Sequence, residues 1–440
     1  MSFKWNSFTF VNFTLCFEIR KSLDLRGLAP TFDGFSCGRN TFLPINEIRV
    51  SRNICEFTKM DQKNRRRELC KRLVVLDDGI FCNVSDLKCN FPTRHLTTKT
   101  MEQFPKTCST VCSELLINEM CNLSEDQITS LFSNMKKLIG SVTVISTKYT
   151  SGKFLAGLES IECGRGENAS VDSEITFVDN NEMLELGLLN LSIINCKGFT
   201  ISGNKKLEKL NMPNVKNMSN PSDSTKKVDI SISSDLPSFC ISTQEMYNFM
   251  SIDTADNYLI FGNYCEPILD NKLCKQPTNG CTQLFGNIEI GPNFDVESMK
   301  AVETIFGNLV INGSDLTSLK CFENLKYVAE LGNNPAIIIE GNEKLTNFNF
   351  PKLKKIHSGA SNIMSFKRNT YLSYFNFTYC FEIRKSLDLR GLVPTIDDYI
   401  CERLETQSQS LISKNQLKEE DNSASGWSLL MMVFSAMFLV

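Results

Sequence analysis

The chain has 440 residues, a formal net charge of −3 and only two histidines. A chain so close to neutral gives no global electrostatic reason to bind nucleic acid. No GxSxG, HExxH or Walker sequence occurs, and Gly164-Arg165-Gly166 lacks the third glycine of a dinucleotide loop. We therefore predict that the protein is not an enzyme and that it holds no cofactor or metal.

Residues 1–40 repeat the end of the chain. CFEIRKSLDLRGL runs unbroken from Cys16 to Leu28 and again from Cys380 to Leu392, and MSFK occurs at both Met1 and Met364. In each copy a second cysteine, Cys37 or Cys401, follows at the same distance, so we predict the disulfides Cys16–Cys37 and Cys380–Cys401.

Residues 41–111 form a polar stretch that contains five cysteines and little hydrophobic periodicity. We predict a Cys-rich linker module. The cysteine spacings contain no CxxC pair and the only nearby histidine is His95, so zinc is a minor alternative. A basic run at residues 63–67 could bind polyanions or be cut by a protease, although a solvated helix face explains it more simply.

The next part of the chain is repetitive. A phrase that begins with Asn and continues with an apolar run recurs at Asn6, Asn181, Asn204, Asn342 and Asn369, most clearly as GNKKLEKLNMP and GNEKLTNFNFP. Stretches typical of β-strands precede most copies, namely EITFV, FTI, AIIIE and NIMSF. Repeats of 23 to 27 residues are typical of solenoids, whose units bury their apolar faces only by stacking. We assign the asparagines a structural role at turns.

A second level of repetition has an offset of 167 residues. SVTVIST after Gly140 matches NLVINGS after Gly307, and Cys112 corresponds to Cys281. Each of these cysteines precedes a polar segment suited to a short helix. The offset predicts two homologous domains, at residues 112–265 and 274–403.

These repeats resemble the receptor L domain, the ligand-binding solenoid of insulin-receptor and EGF-receptor ectodomains. Cys281, Gly286 to Ile290, Ile305 to Ile311, Leu325 and the turns at Asn342 and Asn369 carry the resemblance. It implies a mainly β fold with short helices: two right-handed β-helix or leucine-rich-like solenoid domains in tandem, as in a kinase-less member of that family. Residues 1–40 would then be a truncated remnant of a third L domain, shortened in the protein or by a start codon assigned too late.

The resemblance also implies that a sheet face of each solenoid binds the ligand. We expect the outward strand residues to contribute, and the candidates are Thr143, Thr176, Thr200, Glu289, Val310 and Ile338. Polar insertions at residues 148–153 and 164–172 of the first domain are candidate specificity loops. The segment from Cys265 to Cys281 is far shorter than the Cys-rich region of the receptors, so the ligand geometry could differ.

The chain carries 18 cysteines, an even number, and this usage is typical of secreted proteins. Eight Asn-x-Ser/Thr sequons occur, and we prefer four of them in polar surroundings as glycan acceptors. The preferred acceptors are Asn83, Asn122, Asn168 and Asn217. We expected Asn190 and Asn376 to face inward, because each lies in an apolar run.

The end of the chain predicts membrane attachment. Residues 404–426 are polar and typical of a flexible stalk, and residues 427–440 form an uncharged apolar tail. As a helix this tail would span about 21 Å, short of the roughly 30 Å hydrocarbon core. A GPI-attachment signal fits better than a transmembrane anchor, although the usual polar spacer is nearly absent.

We therefore predict a cell-surface or extracellular binding protein that meets an insulin-like or EGF-like peptide ligand or modulates the corresponding receptor. A solenoid adhesion protein is the alternative, and a degenerate family member without a ligand is the third. The residue inventory leaves open a paired-carboxylate hydrolase, although we expect the glutamates in turns, such as Glu185, to be solvated.

Overall fold

The structure is a computed structural model. It describes residues 89–163, 174–278, 280–371, 377–387, 389, 394–400 and 403, together with the backbone of three short strands before residue 37. The described chain is mainly β. The helices are α1 (Glu125–Phe132), α2 (Thr243–Ser251) and α3 (Phe377–Ser386). Short 3-10 helices lie at Met101–Gln103, Lys153–Leu155, Val296–Met299 and Lys320–Phe322.

The first domain is built from two sheets, in which every strand pairs in parallel with its neighbours. The chain alternates between the sheets, so each circuit, called a coil below, adds one strand to each. Sheet A contains β4 (Thr110–Cys112), β6 (Lys137–Ile139), β8 (Ser160–Glu162), β10 (Ile193–Asn195) and β12 (Asn217–Met218). Sheet B contains β5 (Leu115–Ile117), β7 (Val142–Ile145), β9 (Glu174–Val178), β11 (Gly198–Ser202), β13 (Val228–Ile232) and β15 (Ala255–Ile260). β14 (Cys240–Ile241) and β16 (Asn263–Tyr264) form a separate pair.

The second domain repeats this arrangement. Sheet C contains β17 (Leu273–Cys274), β18 (Gln283–Phe285), β20 (Thr304–Phe306), β22 (Tyr327–Glu330) and β24 (Lys355–Ser358). Sheet D contains β19 (Ile288–Ile290), β21 (Leu309–Asn312), β23 (Ile337–Glu340), β25 (Met364–Lys367), β26 (Thr395–Ile396) and β27 (Tyr399–Ile400). β27 turns back antiparallel to β26 and ends the sheet. The strands predicted from EITFV, FTI, AIIIE and NIMSF are confirmed.

The duplicated segments share a strand pattern. Near the start of the chain, β1 (Ser2–Phe3) pairs in parallel with β2 (Thr31–Phe32), and β2 pairs antiparallel with β3 (Phe35–Ser36). β25, β26 and β27 pair in the same order and with the same directions. The repeated sequence therefore specifies the same strand order twice.

The first domain begins earlier than the sequence indicates. Residues 89–111 were assigned to the linker, yet Phe91, Leu96 and Phe104 are buried in the core of the first domain. Isolated bridges join Asn90 to Cys112 and His95 to Leu116, which extends both sheets by one step. This coil could not be predicted from the sequence, because its few apolar residues lie among cysteines and charged residues and have no regular spacing.

Buried asparagines connect successive coils. In the first domain, Asn180 and Asn204 are fully buried. The oxygen of Asn204 accepts hydrogen bonds from the backbone and side-chain nitrogens of Asn180, at 2.9 and 3.1 Å. The oxygen of Asn180 accepts in turn from the backbone nitrogen and hydroxyl of Thr147, at 3.0 and 2.7 Å. Each asparagine also donates to a strand carbonyl, that of Val144 or Phe177, at 2.9 Å.

The second domain contains the same series of hydrogen bonds between the side chains of successive coils, which is called the ladder below. Ser314 donates to the oxygen of Asn342, and Asn342 donates to the oxygen of Asn369, in the same geometry. The structural role predicted for Asn204, Asn342 and Asn369 is therefore confirmed. The repeat in the first domain is displaced by one residue, because Asn180 enters the ladder and Asn181 is exposed.

Each ladder residue follows a residue in the left-handed region. Gly203 and Gly341 have φ of +66° and +63°, and glycine takes this conformation at no steric cost. Asp179 and Arg368 occupy the equivalent positions with φ of +57° and +51°. The left-handed residue turns the chain out of the strand, so that the next side chain points into the core.

The two domains pack directly against each other. Tyr264 at the end of the first domain makes edge contacts with Phe285 and Phe306 on the outer face of sheet C, with ring centroids 6.0 and 5.6 Å apart. Its hydroxyl donates to the carbonyl of Ala329 at 2.8 Å. Tyr247 contacts Tyr327 in the same way. The outer face of sheet C is therefore part of an interface between domains.

Side chains from sheet C close the exposed edge of sheet B. The ammonium group of Lys355 donates to the carbonyls of Ala255, at 2.9 Å, and Ile252. The Nε2 atom of His357 lies 2.8 Å from the carbonyl oxygen of Ile260. These carbonyls belong to or flank β15, whose outer edge has no further strand in sheet B. Donors from a neighbouring domain thus satisfy carbonyls that an edge strand would otherwise expose.

Replacing Asn180 by Ala should destabilise the protein, because the backbone amide and hydroxyl of Thr147 and the carbonyl of Val144 lose buried partners. We expect a loss of about 2–4 kcal/mol in the free energy of unfolding, measured by denaturant titration. Asn181→Ala is the matched control and should change the value by less than about 0.5 kcal/mol. Equal losses in the two variants would contradict the ladder.

Stability should fall as the pH drops from about 6.5 to 4. Burial lowers the pKa of His357 to about 4, against the opposing effect of the Ile260 and Asn257 carbonyls and of Asp256. The unfolded chain therefore binds a proton in this window that the folded chain excludes, at a cost of about 1.4 kcal/mol per pH unit. Melting temperatures should depend less on pH in His357→Gln than in wild type. His95→Gln removes the exposed histidine and should keep the wild-type dependence.

Candidate functional site

The first three ligand-face candidates lie in one row across sheet B. Thr143 pairs with Thr176, and Thr176 pairs with Thr200, in the parallel register. All three are half-buried, while the residues on either side of each one in its strand are buried in the core. The threonines therefore face away from the core, and their hydroxyls form part of the outer surface of sheet B.

The row continues beyond the predicted residues. Ser231 pairs with Thr200 and Leu259 pairs with Ser231, which extends the row to β15. Leu116 pairs with Thr143 at the other end. Alternation in VDISI could have identified Ser231. The position of Leu259 in the row could not be predicted in this way, because the pairing of β13 with β15 contains an irregularity that the sequence pattern does not indicate.

Rows of different chemistry flank the hydroxyl row. On one side, Glu174, Gly198, Asp229 and Asp256 are paired in sequence across four strands. On the other side, Ile145 pairs with Val178. Val178 pairs in turn with Ser202, so the outer face of sheet B changes from acidic through hydroxyl-bearing to partly aliphatic across its width. A surface of this kind can accept basic and apolar groups of one partner at once.

The three candidates of the second domain lie in the equivalent row of sheet D. Glu289 pairs with Val310, and Val310 pairs with Ile338. Glu289 is exposed, and the other two are half-buried. The row ends at Ser365 and Thr395, which are only 3% and 9% exposed, so the usable surface narrows toward β26. The open part of the row, from Glu289 to Ile338, is acidic and aliphatic, and the hydroxyls of Ser365 and Thr395 are buried.

Packing between the domains decides which faces remain open. The outer face of sheet C is covered by Tyr247, Tyr264 and neighbouring residues of the first domain, so it cannot receive a separate partner. The outward residues Glu289, Val310 and Ile338 of sheet D do not belong to this apolar cluster. The described part of the second domain therefore offers one open sheet face, that of sheet D.

The specificity loop predicted at residues 148–153 is tied to the body of the first domain. Tyr149 is buried, and its hydroxyl donates to the Leu123 carbonyl at 2.9 Å. The backbone nitrogen and hydroxyl of Thr150 both donate to Glu125 at the start of α1. The exposed residues of this segment, Lys148, Thr150 and Lys153, are therefore held in place by contacts with the domain. The second predicted loop, at residues 164–172, lies outside the described residues.

The two histidines lie in different domains. His95 is exposed at a bridge to β5, and His357 is buried at the interface between domains. No group of three or more metal-binding side chains occurs among the described residues.

Glu185 is not solvated as expected. Its side chain is 13% exposed and pairs with Lys153. Burial raises the pKa of Glu185, but hydrogen bonds from Lys153 and Asn211 outweigh that effect, so the pKa lies below its usual value.

The described cysteines support a cross-linked chain. Disulfides join Cys89–Cys108, Cys163–Cys196, Cys240–Cys265 and Cys274–Cys281. Cys380 is also in a disulfide, whereas its predicted partner Cys401 and the pair Cys16 and Cys37 lie outside the described residues. The two predicted pairings therefore stay predictions. Among the described cysteines, Cys121 and Cys321 are free thiols.

Two of the preferred glycan acceptors can be placed. Asn122 is exposed in the loop before α1, where its side-chain oxygen accepts from the Thr98 backbone at 3.1 Å. Asn217 is exposed at the start of β12 in sheet A. Asn83 and Asn168 lie outside the described residues, as does Asn376. Asn190 does not face inward as expected: it is exposed, and its amide donates to the Ala156 carbonyl at 2.8 Å.

The described helices are too short or too polar to span a bilayer. The apolar tail at residues 427–440 lies outside the described part of the chain.

Comparison with known proteins identifies the repeated unit. The family model described as receptor L domain matches residues 107–218 and 280–383, one match in each domain. The chain is also similar to Protein irld-34 of Caenorhabditis elegans, with 23% identity over 299 residues. That alignment covers 64% of this chain and 65% of the relative. The chain thus spans a little less than two thirds of the length of this curated relative.

Proposed function

This protein belongs to the receptor L-domain family, and from that premise we propose that it is a non-enzymatic, extracellular receptor-like protein that binds a peptide ligand. The ligand class that the family resemblance favours is a small disulfide-rich hormone or growth factor of the insulin-like or EGF-like type. The protein would bind or sequester such a ligand, or modulate the receptor that recognises it.

One observation carries the proposal. In both domains, the outer face of the six-stranded sheet presents aligned rows of outward side chains, Thr143, Thr176 and Thr200 in one domain and Glu289, Val310 and Ile338 in the other. The interface between the domains buries the outer face of sheet C and leaves sheets B and D open. Rigid sheets place a row of contacts without an ordering cost, which favours binding.

The finer description of the chain is part of the proposal. We propose that each domain is a right-handed β-helix or leucine-rich-like solenoid and that residues 1–40 are a remnant of a third L domain. Residues 404–426 would be a stalk and residues 427–440 a tail that attaches the protein to the membrane, by a GPI anchor or directly. Four disulfides among the described residues support an oxidising compartment.

A loop between the domains favours adhesion as the second candidate function. Ile268 is 93% exposed and Leu269 is 41% exposed, in a segment that lies between two disulfides. The carboxylate of Asp270 accepts from the backbone nitrogens of Lys272 and Leu273, which holds the loop in a defined turn. An ordered loop with an exposed apolar tip is suited to contact with another protein.

The proposal is tested by immobilising insulin and epidermal growth factor as probes and measuring binding of the full chain from eukaryotic cells. We expect saturable binding to one of them and at least a tenfold weaker affinity for Thr176→Arg, which places a bulky cation in the middle of the hydroxyl row. Ile193→Arg places the same group on the outer face of sheet A and should leave the affinity unchanged.

Adhesion predicts a different result in the same preparation. Neither peptide would bind, and sedimentation would show concentration-dependent self-association that Ile268→Asp abolishes. Circular dichroism of each variant separates lost folding from lost contact. Binding that is insensitive to Thr176→Arg would contradict the proposed face of the first domain.

A further inference from the structure

Asn312 lies on the outer face of sheet D, among the ligand-face candidates of the second domain. It is the last residue of β21 and is exposed, whereas Ile311 before it is buried. Asn312 therefore faces the same way as Val310, two residues earlier. Residues two apart on a strand are separated by about 7 Å, and neighbouring strands by about 5 Å. Any group attached to Asn312 stands beside Val310 and Ile338.

Asn312 also begins a sequon, Asn312-Gly313-Ser314. The sequence analysis preferred four other sequons because they lie in polar surroundings. Only the strand register shows that Asn312 lies on the outer face of sheet D. Its strand partner is Glu340, which forms an ion pair with Arg368. The end of sheet D is therefore polar and hydrated, as the attachment point of a glycan must be.

The first domain has an aliphatic residue at the equivalent place. The 167-residue offset that relates the domains aligns Thr143 with Val310 and Ile145 with Asn312. Ile145 is half-buried at the end of β7 and pairs with Val178. The described sequons of the first domain lie elsewhere: Asn217 is in sheet A, and Asn122 and Asn190 are in loops outside the strands. None of these three stands on the outer face of sheet B.

We propose that Asn312 carries an N-linked glycan that covers the outer face of sheet D, so that sheet B is the face through which the protein meets its partner. In the modification, the amide nitrogen of Asn312 bonds to the anomeric carbon of an oligosaccharide carried on a lipid pyrophosphate. The lipid pyrophosphate leaves, and the nitrogen loses one proton. The inference rests on the proposed function, because glycosylation requires passage through the secretory route.

The proposal accounts for the different chemistry of the two faces. Sheet B presents hydroxyl and acidic rows without a sequon among its described outward residues, whereas the two residues of the sheet D row nearest Asn312, Val310 and Ile338, are aliphatic and half-buried. Aliphatic side chains that stay in contact with solvent promote non-specific association. A glycan at Asn312 would shield that patch and restrict binding to the first domain.

Occupancy is measured on the full chain secreted from eukaryotic cells. Enzymatic removal of N-glycans in heavy-oxygen water converts each occupied asparagine to a labelled aspartate, which peptide mass spectrometry locates. We expect label at Asn312. Label at Asn122 or Asn217 with none at Asn312 would overturn this inference and leave the proposed extracellular function intact. No label at any sequon would overturn both.

Shielding is measured by the rate at which an introduced cysteine reacts with a large polyethylene-glycol maleimide. The unsubstituted chain gives the background rate that comes from the free thiols of Cys121 and Cys321. Val310→Cys should react at least tenfold more slowly in the glycosylated protein than after glycan removal or in the double variant with Asn312→Gln. Thr143→Cys, at the equivalent position of the first domain, should react at the same rate before and after glycan removal.

A reciprocal variant tests whether position alone decides the shielding. Ile145→Asn converts Ile145-Ser146-Thr147 into a sequon at the place that matches Asn312. In this background, labelling of Thr143→Cys should become slow and should recover when the glycan is removed. If occupied Asn312 leaves the Val310→Cys rate unchanged, the glycan does not cover the face, and sheet D remains a binding surface.

Discussion

The fold depends on the need to satisfy polar groups where the chain leaves each strand of the six-stranded sheets. At these corners the backbone enters the core, where an unpaired amide or carbonyl costs about 1–3 kcal/mol. Asn180 and Asn204 meet this need in the first domain, and Asn342 and Asn369 meet it in the second. The side chains of Asn180 and Asn342 bond both the coil before and the coil after, whereas those of Asn204 and Asn369 bond the coil before. The spacing of these coils is therefore set by the reach of one amide.

The second constraint is the edge that a stack of parallel strands leaves open. The second domain ends its sheet with an antiparallel turn at β26 and β27, whereas the first domain has no such turn after β15. Its edge carbonyls receive hydrogen bonds from Lys355 and His357 instead. The cost is that a histidine must stay neutral inside the interface. The benefit is that the two domains share one continuous apolar contact around Tyr264.

This packing links the architecture to the proposed function. Because sheet C packs against the end of the first domain, its outer face is excluded from the proposed binding surface. Sheets B and D differ in chemistry although they occupy equivalent places. Thr143 and Val310 are equivalent, as are Ile145 and Asn312. Two homologous faces can therefore serve one partner unequally, with the hydroxyl-rich face as the contact and the other shielded.

The sequence alone predicted the strands in EITFV, FTI, AIIIE and NIMSF and the repeat at an offset of 167 residues, because alternation and spacing are local. It placed one ladder residue at Asn181 instead of Asn180, since adjacent asparagines look alike until a left-handed residue shows which one enters the core. Only the tertiary structure added residues 89–111 to the first core and placed His357 at the interface between domains. The contact of His357 joins residues about 100 positions apart, which leaves no period in the chain. Residues 89–111 pack beside their neighbours in sequence, through bridges such as Asn90 to Cys112, but their apolar residues have no regular spacing.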